Sequence, residues 1–195
     1  VTNMFKNLIV YAHPYDKSFN HAILEQVQDL LEKKGQTYEL IDLYEDGFNP
    51  VYTKEELALF NKGQALDPLV LKYQEALASC DRLIMIFPIW WADMPAIVKG
   101  FEDKVFLKNK IYEESKTRQL VGRLTNIKEV LAITTSAAPT FYLKYFCGDV
   151  VKKAMLGHTF KSIGARQRRW LNFGNISQST AEKRQAFLEK LAEKI

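Results

Sequence analysis

An α/β domain with a five-stranded parallel sheet and helices on both faces is what this 195-residue sequence predicts. Three observations predict it. Short apolar, β-rich runs alternate with segments of helical periodicity along the chain. The apolar runs are continuous rather than alternating, as strands buried on both faces require. The length suits one domain, so residues 1–195 are read as a single unit.

The first strand is read over 7–12, where Asn7-Leu-Ile-Val-Tyr-Ala12 ends at His13-Pro14. A helix follows from Phe19, with Ile23, Val27, Leu30 and Leu31 on one face, and Gly35 after Lys33-Lys34 marks its end. The second strand is read over 37–43. Thr53 and Glu56 form a capping box that opens a short helix, which Gly63 closes. Asp67-Pro68 pairs an N-cap with a proline in the first turn, opening a helix to about Ser79. The third strand is placed over 82–87, ending at Pro88, and a helix then runs from about Pro95 to Phe106. Residues 107–126 read as a polar surface excursion. The fourth strand is placed over 129–134, a long helix over 140–156, and the fifth strand over 160–165. Ser179 and Glu182 read as a second capping box, and Phe187, Leu188, Leu191 and Ile195 give the last helix its apolar stripe.

Composition excludes several classes. Hydrophobic residues make up 47% and charged residues 26%, so there is enough apolar material for a core. The longest apolar run, 83–92, is too short to span a membrane, and no membrane insertion is expected. The net charge of +4 is scattered rather than striped, which argues against a nucleic-acid partner. Residues 1–6 lack the basic and apolar regions of a signal peptide. Cys80 and Cys147 have no metal or disulfide spacing, and no metal site is expected. A reducing, cytoplasmic setting is therefore expected.

In parallel α/β sheets, ligands bind beyond the carboxyl ends of the strands. The loop after strand one, 13–20, has none of the glycines of a dinucleotide or P-loop motif, but it ends in Ser18 and Asn20 at a helix start. That position suits a phosphate, and Ser18 as a plain N-cap is the simpler alternative. The loop after strand three carries Trp90 and Trp91. Large flat side chains at this edge point to a planar ligand, with an aromatic corner packed under the next helix as the alternative. The loop after strand four, 134–142, has small residues that let backbone N–H groups approach a ligand, and Tyr142 offers a hydroxyl.

Four pieces of sequence together carry a family resemblance: Tyr11-Ala-His-Pro14 with Ser18-Phe-Asn20; Phe87-Pro-Ile-Trp-Trp91; Pro95-Ala-Ile-Val-Lys-Gly100 with Asp103-Lys-Val-Phe106; and Ile133-Thr-Thr135 ahead of Tyr142. In these pieces, from residue 6 to about 149, the chain resembles the flavodoxin-like NAD(P)H:quinone oxidoreductases. This is the family of the mammalian quinone reductase and its small bacterial relatives. The resemblance implies a flavodoxin-like fold and a bound flavin, FMN rather than FAD in so short a chain. It implies two-electron transfer from NADPH or NADH to a quinone or similar flat electrophile, in a cytoplasmic homodimer. By the same resemblance His13, Ser18, Phe19 and Asn20 hold the phosphate end. Pro88, Ile89, Trp90 and Trp91 line the ring, and Thr134, Thr135 and Ser136 approach its pyrimidine edge. Tyr142 is the catalytic tyrosine facing the substrate. Tyr112 covers the substrate pocket from the neighbouring subunit, with Trp91 also lining it. Ser136 and Ala137 depart from the family's paired glycines, and Cys147 stands near the place of a histidine some members have. Two other readings are a flavin-bearing ancillary subunit of a potassium efflux system and a flavodoxin-type electron carrier. Arg166, Arg168 and Arg169 form the densest basic cluster and are a candidate for the 2′-phosphate of NADPH, with a solvated loop as the alternative. His21 and His158 are read as packing or surface residues.

Overall fold

A computed structural model describes residues 5–195. The first four residues of the N-terminal stretch read above lie outside the described residues.

Five parallel strands form the main sheet: β1 (Asn7–Tyr11), β2 (Tyr38–Asp42), β3 (Arg82–Ile89), β6 (Glu129–Ser136) and β7 (Gln167–Phe173), in the order β2-β1-β3-β6-β7. The helices are α1 (Phe19–Lys33), α2 (Lys54–Leu59), α3 (Pro68–Ser79), α4 (Ala96–Val105), α5 (Thr140–Tyr145), a π-helix (Val151–Phe160) and α6 (Ala181–Leu191). A two-stranded antiparallel ribbon, β4 (Tyr112–Glu114) with β5 (Leu120–Gly122), stands apart from the sheet.

The period-2 alternation of each strand splits the core into two layers. Ile9, Tyr11, Ile84, Ile86, Leu131 and Ile133 pack against α1 and α6 on one face. Leu8, Val10, Leu83, Met85, Phe87 and Val130 pack under the helices of the other face. The chain passes from β1 outward to β2, then crosses to β3 and continues the other way. The carboxyl ends of β1 and β3 therefore diverge into a crevice.

Local signals act as the sequence predicts at several points. The Thr53–Glu56 capping box makes both of its bonds, and Gly63 ends that segment with φ 65°. The Asp67 side chain accepts from the Leu69 N–H at the start of α3.

Four expectations need correction. First, β3 runs through Pro88 to Ile89. The Ile86 carbonyl accepts from Ala12 N–H, so the nitrogen of Pro88, two residues on, faces the same side, where β1 has already ended. The missing N–H leaves no ladder bond unmade. Second, the helix predicted over 140–156 breaks at Gly148 and Asp149, both at positive φ (79° and 55°), and resumes as the π-helix. Third, residues 160–165 are not a strand; Phe160 and Ile163 are buried one helical turn apart. The fifth strand is β7, at a sheet edge, where charged residues are tolerated and even protective, and Arg168 and Arg169 masked it. Fourth, residues 107–126 are not wholly a surface excursion. They fold as the β4–β5 ribbon, with Leu107, Ile111 and Leu124 buried under it. The final capping position also shifts by one: Thr180, not Ser179, accepts from the Lys183 N–H.

Candidate functional site

A cleft of about 240 Å³ opens where β1, β3 and β6 end. It is lined by His13, Ser18, Phe19, Asn20, Pro88, Ile89, Trp90, Thr135 and Ser136, and by Ala137 and Ile176. Nine of the residues read from the sequence therefore share one concave surface.

The floor belongs to α1. Ser18 is its N-cap, and its Oγ accepts from His21 N–H at 3.1 Å. The first turn of α1 holds no acidic residue, so the positive end of the helix dipole is left for a ligand. The backbone N–H groups of Phe19 and Asn20 precede the first intrahelical bonds, made by His21 and Ala22 to the Ser18 carbonyl. Such a terminus suits an anionic group. His13 Nδ1 accepts from Tyr15 N–H at 3.1 Å, which places the neutral ring's proton on Nε2 as a donor. Burial holds the His13 pKa below its ordinary value, keeping the ring neutral.

Asn20 ties the two ends of the cleft together. Its Nδ2 donates to Thr135 Oγ1 at 2.8 Å, across 115 residues of sequence. Asn20 is 3% exposed, and its Oδ1 is buried without a partner among the described residues. A buried carbonyl left in this state calls for a donor from outside the chain. Thr134 lies just behind the cleft rather than in it. It is fully buried and bonds Asn172 at 2.8 Å, while Trp170 Nε1 donates to its hydroxyl at 2.8 Å. This network stiffens the end of β6.

The two tryptophans part company. Trp90 lines the cleft, with its ring 6.3 Å from that of His13 in an edge-on arrangement. Trp90 and Asp93 exchange both backbone bonds, at 2.9 and 3.1 Å, around a two-residue turn. Trp91 and Ala92 fill that turn with φ of 52° and 65°. This is the left-handed pair a tight hairpin needs, normally met by Asn or Gly. Trp91 is fully exposed, so its indole packs on nothing within this chain. Trp91→Gly should therefore raise stability by a few tenths to about 1 kcal/mol despite deleting a large side chain. Urea unfolding measures this, and a clear loss of stability would contradict it.

Tyr142 and Tyr112 lie elsewhere. Tyr142, on α5, is half-exposed and stacks on Phe146 with the rings 5.6 Å apart. Tyr112, on β4, lines a different cavity beneath α4. Arg168 and Arg169 sit beside the start of β6, at the opposite end of the sheet from the cleft, and Arg169 pairs with Glu129. Ala137 and Ile176 were not among the site residues expected from the sequence. Ile176 belongs to a short turn after β7, and no sequence signal marks it.

A family model described as a flavodoxin-like fold matches residues 5–195, and the chain belongs to that family. A Haemophilus influenzae protein named an uncharacterized NAD(P)H oxidoreductase is 27% identical over 189 residues, covering 96% of this chain and 93% of its own. NAD(P)H dehydrogenase [quinone] 1 of Cavia porcellus is 31% identical over 160 residues, which is 73% of this chain but only 58% of that protein. Among solved structures, a Streptococcus mutans protein superposes with a TM-score of 0.82 at 36% identity, covering 96% of this chain and 97% of its own. An NAD(P)H:quinone oxidoreductase of Methanothermobacter marburgensis shares the fold, with a TM-score of 0.87 at 24% identity over 97% of this chain and 96% of its own.

The residues present fit the phosphate, ribityl chain and ring of a flavin. The acid-free helix start suits a phosphate. The unpartnered Asn20 Oδ1 suits a polyhydroxyl chain, whose O–H groups are donors. The Pro88, Ile89 and Trp90 wall suits a flat ring.

Proposed function

We propose that the protein is a flavin-dependent NAD(P)H dehydrogenase acting on quinones or similar flat electrophiles, with FMN in the cleft. The observation that supports this best is the joint lining of one cleft by the ends of β1, β3 and β6, with a buried unpartnered carbonyl among them. The names of the relatives favour the same activity.

Bound there, the flavin supplies two-electron redox chemistry. The chain's own groups bind and orient. The N-terminus of α1, Ser18 and the Nε2–H of His13 would hold the phosphate. The Asn20 carbonyl would accept from a hydroxyl of the ribityl chain. Pro88, Ile89 and Trp90 would flank the ring and exclude water. Backbone N–H groups around Thr135, Ser136 and Ala137 would serve as donors to the pyrimidine edge. NADPH or NADH and the acceptor use the same open face in turn, so initial-rate plots should be parallel.

The exposed aromatic side chains Phe141, Tyr142, Tyr145 and Phe146 favour a homodimer. Large aromatics left in water mark a surface that another protein covers. In such a dimer Tyr112 and Tyr142 are the residues to place against the substrate.

The test is the visible spectrum of the purified protein, recorded before and after anaerobic NADPH. A flavin spectrum that bleaches with NADPH and returns on adding a quinone is expected. Protein that stays colourless even when supplied with FMN or FAD overturns the reading. A flavin that never bleaches with either nicotinamide favours the electron-carrier alternative instead.

A further inference from the structure

Arg168 and Arg169, remote from the cleft, belong to a strand that closes the sheet. No strand pairs with the outer side of β7 among the described residues. Its backbone polarity follows from its register. The Gln167 N–H donates to the Lys128 carbonyl at 3.0 Å, so residues 167, 169, 171 and 173 turn their backbone groups to β6. Arg168, Trp170 and Asn172 turn theirs outward. The Asn172 carbonyl accepts from Thr140 Oγ1 at 3.4 Å. The N–H and C=O groups of Arg168 and Trp170 have no backbone partner among the described residues.

A groove of about 350 Å³ lies along this edge, and its lining holds five cations and no acid. Trp170 packs on the layer of α5 and the π-helix, which bring Lys144 and Lys152. Leu171 packs on the layer of α1 and α6, and Lys194 follows α6. Arg169 pairs with Glu129, and Lys194 has Glu193 at 3.9 Å. Lys144, Lys152 and Arg168 have no carboxylate partner among the described residues. Lys144 instead sits over the Trp170 ring at 5.6 Å, and Arg168 donates to the carbonyls of Ala165 and Arg166.

Charges on an edge strand can simply guard it against pairing. Two observations go beyond a guard. Three of the five cations come from other elements and converge on a groove floored by Trp170 and Leu171. The opposite sheet edge, β2, carries Glu39 and Asp42 and no basic residue, so cations are not this protein's general means of protecting an edge.

We propose that β7 docks an extended acidic segment of a partner protein, which adds a further strand to the sheet. The segment's backbone bonds the outward N–H and C=O groups of Arg168 and Trp170. Its side chains alternate between the two faces. Those on the Trp170 face meet Lys144, Lys152 and Arg168, where carboxylates fit. Those on the other face meet Leu171, between two cations that already have carboxylates, and there an apolar side chain fits. At a rise of about 3.3 Å per residue, roughly five residues cover the free stretch. This inference does not rest on the flavin reading, and its test is binding rather than turnover.

The probe is a rhodamine-labelled peptide of about seven residues that alternates Glu and Val, followed by fluorescence anisotropy as purified protein is added. Saturable binding that weakens with rising salt is expected. Gln in place of Glu in the peptide should weaken binding at least tenfold. The paired charge reversals Lys144→Glu and Lys152→Glu in the protein should do the same; both side chains are exposed, so the fold should tolerate them. Backbone methylation separates strand addition from charge alone. Of two peptides, one N-methylated at its Glu residues and one at its Val residues, only the one left free on the ladder side should bind. Equal behaviour of those two peptides overturns the proposal. So does the absence of saturable binding, which leaves a guarded edge, or tighter binding of a single-stranded oligonucleotide of the same net charge, which marks a nucleic-acid groove.

Discussion

At about pH 8.5, Glu102→Gln unfolds at a higher urea concentration than the wild type; at about pH 5 the two proteins are nearly equal. The cause is the burial of an acid with no partner. Desolvation is the largest influence on Glu102, and it raises the pKa from about 4.5 to about 8 in the folded chain, against a smaller opposing pull from Lys99. Between those two values the folded state holds a proton that the unfolded chain has released. Stability therefore falls as pH rises through this window, and flattens above the folded pKa. At about 1.4 kcal/mol per pKa unit, the wild type loses on the order of 5 kcal/mol across the window through this one group. A glutamine does not titrate, so the variant lacks that slope. The difference between the two proteins isolates Glu102 from every other ionising group. Urea melts at several pH values decide the matter, and parallel stability profiles would sink it.

The second large effect concerns Asn20. In Asn20→Ala the bond to Thr135 Oγ1 disappears, and so does the buried Oδ1 acceptor. A lost buried hydrogen bond costs about 1–3 kcal/mol, which corresponds to one to two orders of magnitude in FMN affinity if it is expressed in binding. Flavin fluorescence titration measures the loss. Thr135→Val removes the other partner. Because the two side chains touch, the double variant should cost less than the sum of the single ones, by roughly 0.5–3 kcal/mol. Strict additivity, or unchanged affinity in both single variants, would show that this bond does not organise the cleft.

Much of the fold was legible because it is set locally. Short continuous apolar runs such as 83–87, bounded by turn residues, fit strands of a two-sided sheet, and Thr53, Asp67 and Gly63 mark helix ends through bonds within a few residues. The errors fell where a distant part of the chain overrides a local rule. Pro88 extends its strand because β1 stops short, a fact about another segment. The edge strand β7 is too polar to read as a strand because only one side of it is paired. The π-helix has no period that a 3.6-residue pattern would reveal.

The candidate site divides in the same way. Ser18, Asn20 and Trp90 were readable from their positions after strands one and three, since parallel topology brings those ends together, and the family resemblance added His13 and Pro88. That Trp90 faces the cleft while Trp91 faces solvent was not readable; the turn geometry at Trp91 and Ala92 decides it. Neither was the orphaned carbonyl of Asn20, which depends on Thr135 lying 115 residues away. Glu102 shows the limit most clearly. In sequence it is one more charged residue on a helix beside Asp103, with nothing to set it apart. The amino-acid sequence by itself determined the layered sheet and the strand ends that carry the cleft, because periodicity and caps act over a few residues. Only the tertiary structure decided which polar atoms end up buried and unpaired, because desolvation depends on what distant segments pack over them.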